Sequence, residues 1–297
     1  MYSDIPTTER IIVIGDIHGD IATLCSCLYM TNIINQNLEW IANPPNTIVV
    51  QMGDQVDSLS RDTSPSWEKV DDCTLLRFTD RLDEIAKAKG GRFISIIGNH
   101  EMMNITGNFE YVSKFSMNKS GGHNGRINQF KPGGVYAQIL AKRPIVQKIG
   151  PLLFCHAGLL PHHIKLTDNS ILHINQLFYK LAMKEPLDEH DKMLIHQLFI
   201  DENSILWNRI YLEQMNQNLE DILDYVLHNT KSNYMFIGHN PLQNITPLYN
   251  FKLWVTDVGL SRAFSNDSLE VLEILNGGVS SELNDFKPFR VIKAVKK

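Results

Sequence analysis

Only four cysteines occur in 297 residues, Cys25, Cys27, Cys73 and Cys155, and their spacing is irregular. They are too few for a disulfide scaffold or an all-thiolate zinc site, and free thiols fit a reducing compartment. A basic surplus is also missing: 28 Lys and Arg stand against 33 Asp and Glu, a net charge of -5. A broad nucleic-acid footprint needs such a surplus, so nucleic acid is not an expected partner. No apolar run reaches the roughly 18 residues of a membrane span, and the opening MYSDIPTTER has no signal-peptide stretch. These absences predict a soluble, cytoplasmic protein with no membrane partner. Glycine and proline stay at ordinary levels, so linker-like and collagen-like chains are excluded, while 43% apolar residues suffice for a full core. With no linker composition and no internal repeat, residues 1–297 are expected to form a single domain.

What is present is a series of short apolar runs that stop abruptly at Gly, Asp, Asn or His. They are IIVIGDIHGD (11–20), IVVQMGDQVD (48–57), FISIIGNHE (93–101), LLFCHAG (152–158) and MFIGHNP (235–241). Such runs describe central strands covered on both faces. Between them lie helical patterns at 20–34, where Asp20 is the N-cap candidate and Cys25 and Cys27 pack, and at 74–89, closed by Gly90 and Gly91. Residues 171–200, with a break near Glu185 and Pro186, and 218–229 also read as helical. The tail reads as strands at 253–258, 269–275 and 289–295. Residues 58–72 and 113–134 read as polar loops. The alternation predicts an α/β layered fold with a mixed sheet or two sheets.

The strand ends carry the chemistry. In order they present Asp16 and His18, Asp54 and Asp57, Asn99 and His100, His156, and His239. Ligands of open α/β sheets gather at the carboxyl ends of strands. The gaps of 38 (16 to 54), 45 (54 to 99), 57 (99 to 156) and 83 residues (156 to 239) each allow a helix and a return to the sheet. A mixed nitrogen and oxygen set suits manganese, iron, zinc or cobalt. Two such ions roughly 3.5–4 Å apart would clamp a phosphate and acidify a water. A histidine held by a carboxylate would then protonate the leaving group.

At these residues the chain resembles the calcineurin-like metallophosphoesterases. The motifs stand as Gly15-Asp16-Ile17-His18-Gly19, Gly53-Asp54-Gln55-Val56-Asp57-Ser58, Gly98-Asn99-His100-Glu101, Cys155-His156-Ala157-Gly158 and Gly238-His239. GNHEMMNITGNFEYVS, GRINQFKPGGVYAQILAKRPIV, LLFCHAGL, ILWNR and VTDVGLSRAF look like the Shewanella-like branch of phosphoprotein phosphatases, a similarity running from about residue 10 to about residue 275. GDQVDS is similar to forms carried by large DNA viruses, which makes an infected host cell an alternative setting.

The resemblance implies a sandwich of two β-sheets flanked by helices, with two divalent metal ions at one edge, manganese being the first candidate in vitro. By the same resemblance Asp16 and His18 hold the first ion, Asp54 bridges both, and Asn99, His156 and His239 hold the second. His100 is the general acid, oriented by Asp57. A hydroxide bridging the ions attacks in line, without a phosphoenzyme. Ser58 departs from the pattern, which has a phosphate-gripping arginine there. Arg209 in LWNR, Arg61 in the loop and Arg126 in GGHNGR are the arginines that could grip phosphate. His123, His162 and His163 read as exposed loop residues, Trp207 as a core anchor, and Met102, Phe109 and Tyr111 as packing.

The implied activity is dephosphorylation of phosphoproteins, with phosphoserine or phosphothreonine first. Phosphotyrosine and small phosphate compounds such as dinucleoside polyphosphates are alternatives. A phosphopeptide-binding scaffold of weak activity is the reading from another class, and Ser58 is its support.

Overall fold

The structure, a computed structural model, describes residues 4–58, 70–213, 217–264, 267–279 and 288–296. It opens with β1 (Asp4–Ile5), β2 (Arg10–Ile14), α1 (Ile21–Met30), β3 (Ile48–Gln51), α2 (Asp72–Ala88), β4 (Arg92–Ser95) and α3 (Asn99–Thr106). Then come α4 (Lys114–Lys119), α5 (Gly122–Phe130), α6 (Val135–Leu140), β5 (Val146–Ile149), β6 (Leu152–Cys155), α7 (Pro161–Leu166), α8 (Ile171–Met183) and α9 (Glu189–Ile195). The chain closes with α10 (Ile210–Glu213), α11 (Gln217–Thr230), β7 (Tyr234–Ile237), β8 (Thr246–Leu248), β9 (Leu253–Val255), β10 (Ser268–Leu275) and β11 (Phe289–Val295).

Two mixed sheets result. One has the order β11-β10-β2-β3-β4, the other β1-β5-β6-β7-β9-β8. In the first, β2, β3 and β4 run parallel, β10 lies antiparallel to β2, and β11 lies antiparallel to β10 at the edge. In the second, β6, β7 and β9 run parallel. Each sheet therefore points three successive strand ends the same way, and those ends are where the motif residues lie.

The β2 run Ile11–Ile14 is wholly buried because its sheet is covered on both faces. Each such side chain contributes roughly 1.5–3 kcal/mol of burial. The second sheet alternates instead. Leu153, Cys155, Met235, Ile237, Leu253 and Val255 face the helical side, while Leu152, Phe154, Phe236 and Trp254 pack in the cluster that holds β2 and β3. Phe154 and Phe236 stack at 4.7 Å within that shared layer. The period of two thus divides one sheet between two apolar layers.

Helix boundaries follow local chemistry. Asp20 caps α1, accepting from the Thr23 N–H at 3.1 Å, and Asp71 caps α2 in the same way. The 171–200 pattern resolves into α8, α9 and a π-helical turn at His196–Ile200. Residues 113–134, read as loop, instead hold α4 and α5. The Ser113 side chain caps α4, and short polar helices give little periodic signal. Most of the 58–72 loop lies outside the described residues. Among the described residues no helix is long and apolar enough to cross a membrane.

Candidate metal centre

The loop after β2 carries Asp16 and His18, and the loop after β3 carries Asp54 and Asp57. From β4 the chain passes through Gly98 into α3, whose first residues are Asn99 and His100. From the other sheet, β6 delivers His156, β7 delivers His239 and β9 delivers Asp257. The two sets are joined. His156 Nδ1 lies 2.7 Å from the Met52 carbonyl, and the His239 N–H donates to Asp16 Oδ2 at 3.0 Å. A Cβ at residue 98 would press on the Asp54 carboxylate, so glycine is required at that crossing.

Four of these residues adopt left-handed backbone: His18 (φ 43°), Asp54 (φ 49°), Asp57 (φ 68°) and His239 (φ 63°). Each costs roughly 1–2 kcal/mol. Each is held by a specific acceptor on its own N–H. The Asp54 carbonyl takes His18 at 2.8 Å, Glu101 Oε2 takes Asp54 at 2.9 Å, Asp72 Oδ2 takes Asp57 at 3.0 Å, and Asp16 takes His239. Glu101 also accepts from Gly98, Gln55 and Val56 at 2.8, 2.7 and 3.2 Å. One buried carboxylate therefore shapes the whole Asp54 turn and caps α3.

The inner atoms converge on Asp54. His156 Nε2 lies 3.3 Å from Asp54 Oδ2 and 2.9 Å from Asn99 Oδ1, and His239 Nδ1 lies 3.0 Å from that same Asn99 oxygen. His18 Nε2 and His100 Nε2 each stand 3.9 Å from Asp54 Oδ2. Donor atoms of Asp54, His156 and His239 lie within 4.8 Å of one another, as do those of His18, Asp54 and His100. Asp54 belongs to both groups. Asp16 belongs to neither; it is buried beside them, with its Oδ1 lacking any hydrogen-bond partner.

This set fits divalent cations. The outer nitrogens of His156 and His239 face the carbonyls of Met52 and Trp207, which can only accept, so those nitrogens carry the hydrogens. The inner nitrogens then meet carboxylate and amide oxygens, an arrangement that repels until a positive charge, a proton or a metal cation, sits among them; burial lowers His156, but Asp54 outweighs it and raises this histidine. Acidity agrees. Burial, then Asp257 and Asp54, push Asp16 well above the usual carboxylate range. Burial raises Asp257 to about 6, and burial lowers His18 to about 4 and His239 to about 3. Burial would also raise Asp54, but His156, His100 and His18 hold it well below its ordinary value. Cys155 beside His156 is pushed by burial up to about 12 and offers no thiolate at neutral pH.

Behind the donor cluster, His100 Nδ1 lies 2.8 Å from Asp57 Oδ2. Burial alone would lower this histidine, but Asp54 and Asp57 outweigh it and hold it up to about 9. Asn104 Nδ2 donates to Asp57 Oδ1 at 2.8 Å. Arg126, expected at the phosphate, does not reach the cavity. It is fully buried, and it binds both oxygens of Asp72 at 2.8 Å and Asn104 Oδ1 at 2.7 Å, with its Nη2 3.5 Å from Asp57 Oδ1. Arg61 lies outside the described residues. Ser58 is buried under Gly19, whose added Cβ would come within 2.7 Å of the Ser58 Cβ.

A cavity of about 550 Å³ opens onto the cluster, with Asp16, His18, Asp54, Asn99, His100 and His239 in its wall. Tyr111, Trp207, Pro241 and Phe264 form its apolar wall, and Arg209 and Asp257 complete it. Among the described residues Arg209 is the only arginine there, held by Asn240 Oδ1 at 2.7 Å. Tyr111 and Trp207 are thus cavity residues rather than plain packing. His163 is buried, not exposed: its Nδ1 accepts from the Leu160 N–H at 3.0 Å, and its Nε2 meets the Asn203 carbonyl. Sequence reasoning gave Glu101 and Asp257 no role. The third helical position of α3 was the available sign for Glu101; for Asp257 it was the apolar run ending at an acid, LWVTD.

The chain matches the calcineurin-like phosphoesterase family model over residues 9–256. It is 28% identical to Shewanella-like protein phosphatase 1 of Plasmodium berghei, covering 88% of this chain and 69% of that one. It is 30% identical to an uncharacterized protein of Acanthamoeba polyphaga mimivirus, covering 74% of this chain and 99% of that one. The crystal structure of a cold-active protein-tyrosine phosphatase of a psychrophilic Shewanella species shares the fold, with a TM-score of 0.76 at 22% identity over 93% of this chain and 78% of that one. With motif order, donor convergence and fold in agreement, the chain belongs to the calcineurin-like phosphoesterases, metal-dependent hydrolases with a binuclear site, and within them to the Shewanella-like protein phosphatase branch.

Proposed function

We propose that the chain, acting as a single catalytic domain, is a phosphomonoesterase that dephosphorylates phosphoproteins, at phosphoserine and phosphothreonine first, with manganese able to serve as its metal. The observation that carries this reading is Asp54 shared by two groups of donors, beside His100, which Asp57 holds from behind and which lines the same cavity as Arg209. The name of the Plasmodium relative supports a phosphoprotein substrate.

In this reading Asp16 and His18 would hold one ion, Asn99, His156 and His239 the other, and Asp54 would serve both. When bound, such ions draw charge from the phosphoryl oxygens and acidify water. The planar guanidinium of Arg209 matches two phosphoryl oxygens, and its bond to Asn240 keeps it from swinging away. His100 carries a proton on Nε2. As a water oxygen bonds to phosphorus and the ester P–O bond breaks, its electron pair stays on the serine or threonine oxygen, the Nε2 proton moves there, and inorganic phosphate is released. Asp57 holds Nδ1–H throughout, so the ring stays aimed.

A second reading, phosphotyrosine, is favoured by the rings around the acid. Tyr111 lies 5.1 Å from the His100 ring and Phe264 5.4 Å from the His18 ring. An aryl leaving group beside His100 would meet both. Turnover of para-nitrophenyl phosphate with manganese is expected, and turnover of a phosphoserine peptide is expected to fall about 100-fold or more in His100→Asn. A panel of phosphoserine, phosphothreonine and phosphotyrosine peptides with diadenosine tetraphosphate then ranks the substrates. No turnover with manganese, iron, zinc or cobalt would leave the binding scaffold as the reading.

A further inference from the structure

We infer that Arg126 is a positioning residue of this phosphoesterase: through Asn104 and Asp72 it fixes the Asp57 carboxylate and backbone that aim His100. The inference rests on the reading of His100 as the acid.

The geometry is specific. Arg126 Nε donates to Asn104 Oδ1 at 2.7 Å, which turns the Asn104 amide nitrogen toward Asp57 Oδ1 at 2.8 Å. Its two terminal nitrogens take the two oxygens of Asp72, each at 2.8 Å. Asp72 Oδ2 in turn accepts the N–H of Asp57, which sits at φ 68°. Asp57 Oδ2 is left for His100 Nδ1 at 2.8 Å. Every nitrogen of the guanidinium therefore serves a group that touches Asp57.

Stability does not account for this arrangement. Arg126 is fully buried with Asp72, and both are closed off with Asp57. Apolar residues of similar volume would commonly be as stable or more so than such a buried ionic cluster. The Arg126 side chain also lies over the Phe130 ring at 4.8 Å, one turn further along α5. Without the guanidinium, Asp57 and Asp72 would be neighbouring buried anions, and the left-handed turn at Asp57 would lose its anchor. An acid displaced by about 1 Å loses roughly 100-fold in rate. That loss falls on leaving groups that need a proton, an alkoxide, and spares a phenolate that is already a weak base.

The test uses the full chain and the variants Arg126→Met and Asn104→Ala; the second leaves the Arg126–Asp72 pair, and with it the Asp72 bond to the Asp57 N–H, in place. Each is checked for bound manganese and for its melting temperature. Turnover of a phosphoserine peptide and of 2,4-dinitrophenyl phosphate is measured with manganese, and the proton spectrum of the His100 Nδ1–H is recorded on the protein loaded with diamagnetic zinc. We expect kcat on the phosphoserine peptide to fall about 100-fold in Arg126→Met and about 10-fold in Asn104→Ala, while 2,4-dinitrophenyl phosphate changes less than about threefold. KM should hold for both, and the downfield Nδ1–H resonance should weaken or vanish in both variants. Equal losses on both substrates, or an unchanged resonance, would overturn the inference. If the unmodified chain hydrolyses neither compound, the phosphomonoesterase reading fails. The resonance still decides the positioning role.

Discussion

On the proposed reading, Arg209 would carry the phosphate-binding task alone among the described arginines, where the family pattern has two. Ser58 sits buried where the family pattern has the second one, and Arg126 is engaged behind Asp57. A bidentate charge-assisted contact to phosphate is hard to replace with neutral donors. Arg209→Ala should therefore lower kcat/KM by roughly tenfold or more, read from steady-state kinetics on a phosphopeptide. Unchanged kinetics would remove Arg209 from phosphate binding. Arg209→Lys should recover only part of the loss, because a point charge cannot span two oxygens. The same scale shows how the site holds strained residues. His18, Asp54, Asp57 and His239 each take a left-handed conformation, and each N–H meets an acceptor. The anchors Glu101 and Asp72 thus matter without lining the cavity.

At the scale of elements, α2 is tied to β4 by one carboxylate. Asp83 accepts from Arg92 Nε at 2.9 Å and from the Phe93 N–H at 3.0 Å, and pairs with Lys87 at 2.6 Å. Burial would raise this acid, but Arg92 and Lys87 outweigh it and its pKa lies below the usual 3.8. A carboxylate whose folded pKa is depressed adds stability above its unfolded value, and that stability is lost as pH falls through the folded one. Asp83→Asn should lower stability at pH 7 by about 1 kcal/mol or less, since water screens part of the pair. Below pH 3.8 the difference should shrink toward zero, measured as the gap in melting temperature between the two proteins. A gap that persists in acid would assign Asp83 a role independent of its charge. The helices α4 and α5, read as loop from sequence, show how an element hides. Their residues are polar and each is short, so no apolar period marks them, yet α5 delivers Arg126 and Phe130 to the interior.

Across the whole molecule, the donor cluster joins the two sheets. Asp16, His18, Asp54, Asn99 and His100 come from one, and His156, His239 and Asp257 from the other. Asp16, Asp54 and Asp257 are buried together and repel. Bound cations should relieve that repulsion and staple the sheets. Manganese at about 100 times its dissociation constant should stabilise the fold by roughly 2.7 kcal/mol per site. A chelator should reverse the effect, followed by thermal unfolding. No shift in melting temperature in either direction would contradict a metal site at this rim. Apart from Asp257, the donors and their order were legible in the linear chain, because each motif is local: a β-branched run ends, and its last residues are Asp, Asn or His. The α/β class was legible there too, since strand and helix periods differ. Only the tertiary packing separates the arginines that face the cavity from those that do not, because in a linear chain Arg209, Arg61 and Arg126 all stand as candidates. The difference lies in burial. The cluster that folds around Arg126 supplies two carboxylates and an amide, whereas Arg209 finds the Asn240 amide, the His239 carbonyl and an open cavity.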